Sequence, residues 1–502
     1  MDKRTTVHLD EVLAEVPAAT LVQGDATREI TGITHDSRRV SPGDLFVAIS
    51  GAQHDARTFV RQALERGAAG VVTEGPVEID GDAALVRVPS ARAALADLAV
   101  AVYRHPGDAM KMIGVTGTDG KTTTSYLIHA AMEQSGIRTG RLTTVGMTTG
   151  GGNPPVHTGF TTPEAGDLQR LLAEMVEAGC AAAVTEVSSH ALELDRVRGV
   201  PFSAAVFTNL TPEHLDFHGT MENYAKAKAR LFTMAAARGS DSFGVVNADD
   251  PSWRLIAGDG PATLYRFGLE SEGLDLWAEN IRLAPDSCRF TMFTPWGSRE
   301  VVSAMPGRMN VKNWLAATAV TVGLGGDLDA VVAAAAHATV DGRMQSVSAG
   351  QPFEVFVDFA HTPYALETVL RTLRAQTKGR LRVLFGHSGG RDAGNRRPMG
   401  RIAAELADTV MITSDNPAHE DPVAISAEIV AGAAEATGGT DDVRVVIDRG
   451  DALRELMSEA GPGDTVLLAG KGHEDYQILA TGKVDWNDAD EARRALAALG
   501  WS

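Results

Sequence analysis

The sequence predicts an α/β protein of three domains built on parallel sheets. Three observations carry that expectation. At 502 residues the chain exceeds what one hydrophobic core organises. Apolar runs of strand length alternate with amphipathic helical stretches along most of it. A Pro-Gly linker, RHPGDAM, and a fresh start of the alternation near Val340 divide it into blocks 1–107, 108–339 and 340–502.

The first block opens with the alternating stretch ITGITHDSRRV, then PGDLFVAISG, an apolar strand bounded by Pro-Gly and Gly. DARTFVRQALERGAAGVV reads as an amphipathic helix stopped by Gly67, followed by a short buried strand. The second block begins with the strand MKMIGVTG, a glycine turn and a helix from about Thr122 to Gln134. AAAVTEVSSH and PFSAAVFTNLT are buried strands ending in polar residues, and parallel sheets bind ligands at such ends. The Ala-rich run AAAAHATV near Val332 reads as packed helix. In the third block FEVFVDFA, RLRVLFG, DTVMITSD, VRVVID and DTVLLAG are strands, and a helical stretch follows each of the first four.

Composition narrows the partners. A chain with 44% hydrophobic and 22% charged residues lies in the range of soluble globular proteins. Its 46 basic and 65 acidic side chains give a net charge of -19, which repels nucleic acid and anionic membrane alike. Cys180 and Cys288 form neither a disulfide framework nor a metal-ligand spacing, as expected in a reducing compartment. The N-terminus lacks a signal-peptide core and no apolar run reaches membrane-span length, so a cytoplasmic protein, expected to be a monomer, is the reading.

Function first becomes legible at IGVTGTDGKTTT, Ile113–Thr124. Gly120, Lys121 and Thr122 match the end of the G-x-x-x-x-G-K-[ST] phosphate loop, but Val115 stands where the first glycine belongs. A turn between a buried strand and a helix start presents several N–H groups to one anion, and the helix dipole adds to that attraction. Lys121 would bridge terminal phosphates and the Thr122 hydroxyl would ligate Mg2+. Glu186, at the polar end of VTEVSSH, is either a second metal-binding carboxylate or a solvated strand end. His214, Asp216 and His218 within five positions read as a metal site or as a polar loop.

GVTGTDGKTTT, TTPEA, EVSSHAL, FTNLTPEHLDFHGTMENYAKAKARLF, VVNADD, PGRMNVKNWLAA, DGRMQ and VDFAHTP occur here in an order that resembles the Mur ligases of cell-wall synthesis. THDSRRVSPGDLFVAISG, GRD, TSDNPAHEDP and AGKGHEDYQI resemble the branch that adds the third residue, the UDP-N-acetylmuramyl-tripeptide synthetases. The resemblance implies a UDP-substrate-binding domain over 1–107. It also implies a central P-loop-type parallel-sheet ATPase domain over 108–339 and a C-terminal, amino-acid-binding Rossmann-like domain over 340–502. ATP and Mg2+ are the implied cofactors. The implied substrates are UDP-N-acetylmuramoyl-L-Ala-D-Glu and a free diamino acid, joined through an acyl phosphate.

The resemblance also assigns residues. The nucleotide loop is Gly117, Thr118, Asp119, Gly120, Lys121, Thr122 and Thr123, with Asp119 where Asn is more usual. Asn310, Arg343, Asp358 and His361 are further ATP contacts, although Gln345 and Tyr364 stand where Glu and Asp are commoner. Thr122 and Glu186 hold one Mg2+, and His214 with a carbamylated lysine the other. Lys228 is the expected carbamate, and Lys226, on another helix face, is its competitor. Ser37, Thr161, Thr162, Ser188 and Arg196 are the expected contacts to the UDP-substrate.

By the same resemblance, Arg391, Asp415, Asn416, Pro417, Ala418, Gly470 and Glu474 are the expected contacts that select the third amino acid. Enzymes of the branch that use diaminopimelate carry D-N-P-R, whose Arg grips the distal carboxylate; here the motif ends in Ala418. An unpaired buried carboxylate costs several kcal/mol, on the order of a thousandfold in selectivity. L-Lysine is therefore expected first, then ornithine or diaminobutyrate, with Glu474, Asp421 or Glu420 facing the ammonium. Gly470, Glu474 and Arg391 match the diaminopimelate form, and His419 is a substitute cation, so meso-diaminopimelate stays open. Folylpolyglutamate synthase shares the loop style without the N-terminal block, and a P-loop switch ATPase is the alternative from another class.

Overall fold

The computed structural model describes residues 6–49, 56–150, 161–284 and 286–501. They form two compact units, Met1–Phe267 with Ala316–Asp327, and Gly268–Leu315 with Leu328–Ser502. The architecture is α/β throughout, as the alternation predicts.

The first unit contains two main sheets. The smaller runs in the order Thr20–Gln23, Ala84–Arg87, Gly70–Thr73, Asp44–Val47, Gly32–Thr34, parallel except at the first pair. PGDLFVAISG shrinks to the four-residue strand Asp44–Val47, buried along its whole length. The helix predicted from DARTFVRQALERG divides into a 3-10 turn, Ala56–Phe59, and a short helix, Val60–Glu65. The RHPGDAM linker reverses the chain through left-handed Arg104 and His105 (φ 58° and 53°) before Lys111–Thr116 begins. Arg39 donates to both oxygens of Asp167 at 2.7 and 2.8 Å, tying the first block to the helix Ala165–Glu177 of the second.

Seven strands of the larger sheet lie in this unit, in the order Met147–Thr148, Thr139–Leu142, Ala182–Glu186, Lys111–Thr116, Phe202–Phe207, Phe243–Asn247, Thr263–Gly268. All but the first pair are parallel. The three central strands are almost wholly buried, as continuous apolar runs must be when helices cover both faces. Register aligns their carboxyl ends: Glu186 pairs with Val115 and Phe207 with Thr116. The loops after these strands therefore emerge side by side.

The second unit begins with an antiparallel meander, Leu276–Ala284, Ser287–Thr294 and Gly297–Ser303, which the sequence reading does not anticipate. Its main sheet runs Gln345–Ser346, Glu354–Asp358, Thr465–Ala469, Leu381–Phe385, Thr409–Ile412, Val443–Val445, parallel except at the first pair. The helices Pro363–Arg374, Arg396–Leu406, Pro422–Ala433 and Arg449–Ser458 follow the four strands as predicted. Thr362, Asp421 and Asp448 cap three of them by accepting a backbone N–H. AAAAHATV is helical only as far as Ala335, the end of Leu328–Ala335.

One ion pair sits entirely inside this unit. Arg449 donates from Nε and Nη2 to Asp488 at 2.8 and 2.6 Å, and from Nη2 to the Ala469 carbonyl at 2.9 Å. Trp486 Nε1 donates to the same carboxylate at 2.8 Å. Both charged side chains are 0% exposed, so removing one strands the other without water. Asp488→Ala is expected to destabilise the second unit by about 3–5 kcal/mol, read as a lowered urea midpoint at unchanged slope.

Candidate active site

The strand Lys111–Thr116 delivers the chain into the turn 117–120, and Gly120, left-handed at φ 81°, starts the helix Lys121–Gln134. The next strand braces this turn from beside it. Thr118 N donates to the Asn209 carbonyl at 2.9 Å, and Asp119 N to Asn209 Oδ1 at 2.9 Å. Asn209 Nδ2 and Thr208 Oγ1 donate back to the Asp119 carbonyl at 3.1 and 2.6 Å. Gly117 lies so close that a Cβ would stand 1.9 Å from Thr208 Oγ1, at a φ of 150°. That steric bar makes Gly117 the glycine the loop requires, and Val115, inside the strand, has no comparable duty.

Two lysine amines converge on the Gly117 carbonyl. Lys121 Nζ donates to it at 3.1 Å and to the Thr118 carbonyl at 2.7 Å; Lys228 Nζ donates to it at 2.6 Å. Lys228 is 1% exposed on the buried face of Met221–Ala236. Burial first, then the Lys121 charge, drives its amine well below the usual lysine range. Lys226 points to solvent and pairs with Glu222 at 2.7 Å. Tyr224 lies beneath Lys228, with the amine 4.3 Å from its ring, and shares a hydrogen bond with Thr118 Oγ1 at 3.2 Å.

Glu186 is buried at its strand end, where Thr144 donates to it from N at 2.9 Å and from Oγ1 at 3.2 Å. His214 adopts a left-handed conformation (φ 56°) ahead of the short helix Leu215–His218. Burial lowers its imidazole pKa, and its ring lies 4.7 Å from that of His190. His218 instead turns to Ser189 Oγ at 2.9 Å, and Asp216 lies exposed. Among the described residues no three or more His, Cys, Asp or Glu side chains are grouped to hold a metal ion.

The residues expected at the UDP-substrate come from both sheets of the first unit. Thr161, Thr162, Ser188 and Arg196 form one hydroxyl-rich cluster. Thr162 Oγ1 donates to the Glu186 carbonyl at 2.8 Å, Ser188 N donates to Thr162 Oγ1 at 3.2 Å, and Thr144 Oγ1 donates to Thr161 Oγ1 at 3.1 Å. Arg196 is held by the Thr162 carbonyl at 3.1 Å and by Glu164 at 2.7 Å. Ser37 lies in a loop of the smaller sheet, buried and donating to Gln62 at 2.7 Å.

In the second unit Asp358 closes its strand and accepts from Met344 N at 2.7 Å and Ala360 N at 2.9 Å. The Arg343 guanidinium stacks 4.6 Å from the Phe359 ring, and His361 Nδ1 is 2.8 Å from the Phe359 carbonyl. Asn310 is buried, donating to the Pro306 carbonyl at 2.7 Å and accepting from Asn313 at 3.0 Å. Gln345 accepts from Gly342 N at 2.8 Å, which a carboxylate would do equally well; Tyr364 lies exposed.

The DNPA stretch crosses the ends of neighbouring strands. Ala418 is left-handed (φ 52°), half-buried, and donates from N to the Ile478 carbonyl at 3.0 Å. Asn416 donates from Nδ2 to Glu474 at 2.9 Å, and Pro417 packs its carbonyl against Gly389. Gly470, at φ 102°, leaves room for Asp415. Arg391 and His419 are exposed, and Asp421 is committed to capping a helix. Glu420 is bound to Gly390 N at 2.5 Å and to Arg396 at 2.7 Å, contacts that hold its carboxyl below the usual range.

Family models match along most of the chain: "Mur ligase family, catalytic domain" at 29–103, "Mur ligase middle domain" at 115–321 and "Mur ligase, glutamate ligase domain" at 342–472. A UDP-N-acetylmuramyl-tripeptide synthetase from Roseiflexus sp. is 46% identical over 94% of this chain and 96% of its own. The chain belongs to the Mur ligase family. A UDP-N-acetylmuramoyl-L-alanyl-D-glutamate–2,6-diaminopimelate ligase from Gloeobacter violaceus is 43% identical over 93% of this chain and 94% of its own. A solved ligase of that same name superposes with a TM-score of 0.68 at 32% identity, covering 99% of this chain and 100% of the other. As a Mur ligase the protein is an ATP-dependent ligase, and the switch-ATPase alternative falls away. No helix among the described residues is long and apolar enough to cross a membrane.

Sequence reasoning passes over several residues that shape this Mur ligase site. Thr208 and Asn209 brace the phosphate loop, Glu164 holds Arg196, and Lys471 lies wholly buried against Asn416 and Glu474. A lysine between two glycines at a strand end is the one signal that could have marked Lys471. Gly117→Ala is expected to lower ATP-dependent turnover at least about tenfold, because a close backbone approach closed to any Cβ must open. Release of ADP under saturating substrates measures it, and turnover matching the unsubstituted chain would contradict the steric argument.

Proposed function

We propose that this Mur ligase joins a diamino acid to the D-Glu carboxylate of UDP-N-acetylmuramoyl-L-Ala-D-Glu, completing a tripeptide precursor of peptidoglycan. The observation that carries the reading is the convergence of Lys121 and Lys228 on the Gly117 carbonyl, just past the strand that pairs with the one ending in Glu186. The names of the Roseiflexus and Gloeobacter relatives supply the substrate class. The domain bounds 1–107, 108–339 and 340–502 belong to the same proposal. So do the ATP contacts of the phosphate loop, Asn310, Arg343, Asp358 and His361. Ser37, Thr161, Thr162, Ser188 and Arg196 complete it as contacts to the UDP-substrate.

A carboxylate is a poor electrophile, so ATP must activate it. A carboxylate oxygen attacks the γ-phosphorus and ADP leaves. The amine then attacks the acyl carbon, phosphate leaves with the C–O bond electrons, and the nitrogen loses its proton. Transfer between two anions depends above all on positioned cations. Lys121 contributes one by turning from the loop carbonyls to the phosphates, and the loop N–H groups orient the nucleotide.

The residues present suit magnesium. Thr122 and Glu186 would hold one ion, with His214 and carbamylated Lys228 holding another. The oxygen donors of Thr122, Glu186 and a lysine carbamate match a hard cation, with His214 adding one nitrogen, and a buried lysine driven towards neutrality is the nucleophile that carbamylation by CO2 needs. When bound, the metal supplies positive charge to the phosphate oxygens.

For the incoming residue we favour L-lysine, then ornithine or diaminobutyrate, because Ala418 cannot clamp a distal carboxylate. The second reading is meso-diaminopimelate, supported by Arg391, Gly470 and Glu474 and by the substrate in the Gloeobacter relative's name. Ala418 already occupies a left-handed conformation, so a larger L-residue there adds little backbone strain.

Two measurements test the proposal. In a panel with one UDP-muramoyl-dipeptide, lysine is expected to exceed meso-diaminopimelate by on the order of a thousandfold in kcat/KM, and Ala418→Arg to shift that ratio towards meso-diaminopimelate. A wild-type preference for meso-diaminopimelate would select the second reading. Lys228→Ala is expected to abolish ligation, and excess bicarbonate not to restore it; full activity would remove Lys228 from the site.

A further inference from the structure

Lys471 has no part in the chemistry above, yet it is the most enclosed cation beside the amino-acid motif. It follows the strand Thr465–Ala469 by two residues and is 0% exposed. Its Nζ donates to Asn416 Oδ1 at 2.9 Å and to Glu474 Oε2 at 2.5 Å, and stands 3.7 Å from Asp415 Oδ1. A buried ammonium is costly unless paired and hydrogen-bonded, and here every partner belongs to the proposed amino-acid pocket.

The contacts determine how that pocket is presented. Asn416 Oδ1 accepts from both Lys471 and Ile478 N, the latter at 2.9 Å, so its Nδ2 is turned towards Glu474 Oε2. Oε2 of Glu474 is thereby held from two sides, while Oε1 has Tyr476 Oη 3.5 Å away. Charge follows the same arrangement. Asp415 and Glu474 bring two negative charges and Lys471 one positive, leaving a net negative centre suited to an ammonium group. The buried cations Arg449 and Arg396 nearby are already paired, with Asp488 and with Glu420 and Glu428.

We infer that Lys471 is a positioning residue for binding of the incoming amino acid: its buried ammonium orients Asn416 and Glu474 so that they meet the ligand in one fixed arrangement. The inference rests on the proposed identity of the amino-acid site. Lys471→Met and Lys471→Arg are assayed in the full chain with ATP, UDP-muramoyl-dipeptide and lysine, beside a thermal melt.

Lys471→Met is expected to raise KM for lysine about 10–100-fold, with kcat at saturating lysine and the KM for ATP changed less than about threefold. Lys471→Arg, which keeps the charge but not the point geometry, is expected to fall between Lys471→Met and the unsubstituted protein. Should Lys471→Met not fold, a rise in lysine KM alone in Lys471→Arg supports the inference. An unchanged lysine KM with reduced kcat overturns it, as does failure of both variants to fold, which would make Lys471 a stability residue. If the unsubstituted protein turns over no diamino acid, the functional reading itself fails, and the inference with it.

Discussion

One carbonyl oxygen, that of Gly117, organises the catalytic end of the first unit. Two amines 107 residues apart in sequence share it, because Lys121 and Lys228 both donate there. Burial, and after it the charge of Lys121, shifts the enclosed Lys228 amine towards neutrality. The carbonyl stands where it does because Thr208 and Asn209 grip the Asp119 peptide and exclude any side chain at Gly117. The loop is therefore shaped as much by the neighbouring strand as by its own glycines.

The alternation of strands and helices was readily legible, because strands of a doubly covered parallel sheet are unbroken apolar runs. The meander over 276–303 was not: its strand Ser287–Thr294 alternates buried and open positions and carries Thr, Arg and Ser among its apolar residues. Gly-Lys-Thr marked the phosphate loop, but Thr208 and Asn209 look like any polar pair closing a strand. Lys226 and Lys228 were separable in sequence only as different helix faces; packing puts one in solvent and the other in the core. Thr161, Thr162, Ser188 and Arg196, spread over 36 positions of sequence, are drawn into one hydrogen-bonded cluster that spacing along the chain cannot convey.

Buried charge in the second unit follows a consistent rule. Arg449 meets Asp488 with two hydrogen bonds, and Lys471 meets Glu474 and Asn416. Arg396, buried likewise, meets Glu420 and Glu428. Each enclosed cation is matched to its own acceptors, and these pairings surround the strand ends from which the DNPA stretch departs. Such a frame holds a polar pocket in one shape, since moving any member leaves another without its partner.

The segment 470–474 serves two neighbours at once. On one side Lys471 and Glu474 hold Asn416; on the other, Gly472 and His473 press so closely on Gly342 and Phe359 that a Cβ at Gly342 would fall 2.0 Å from His473 N. Mutation in this segment would disturb both neighbours together, so a substitution there has little freedom. Ala418, half-buried and held through its backbone N–H to Ile478, carries no such double duty. A change at that one methyl group meets fewer fixed partners than a change in the segment behind it.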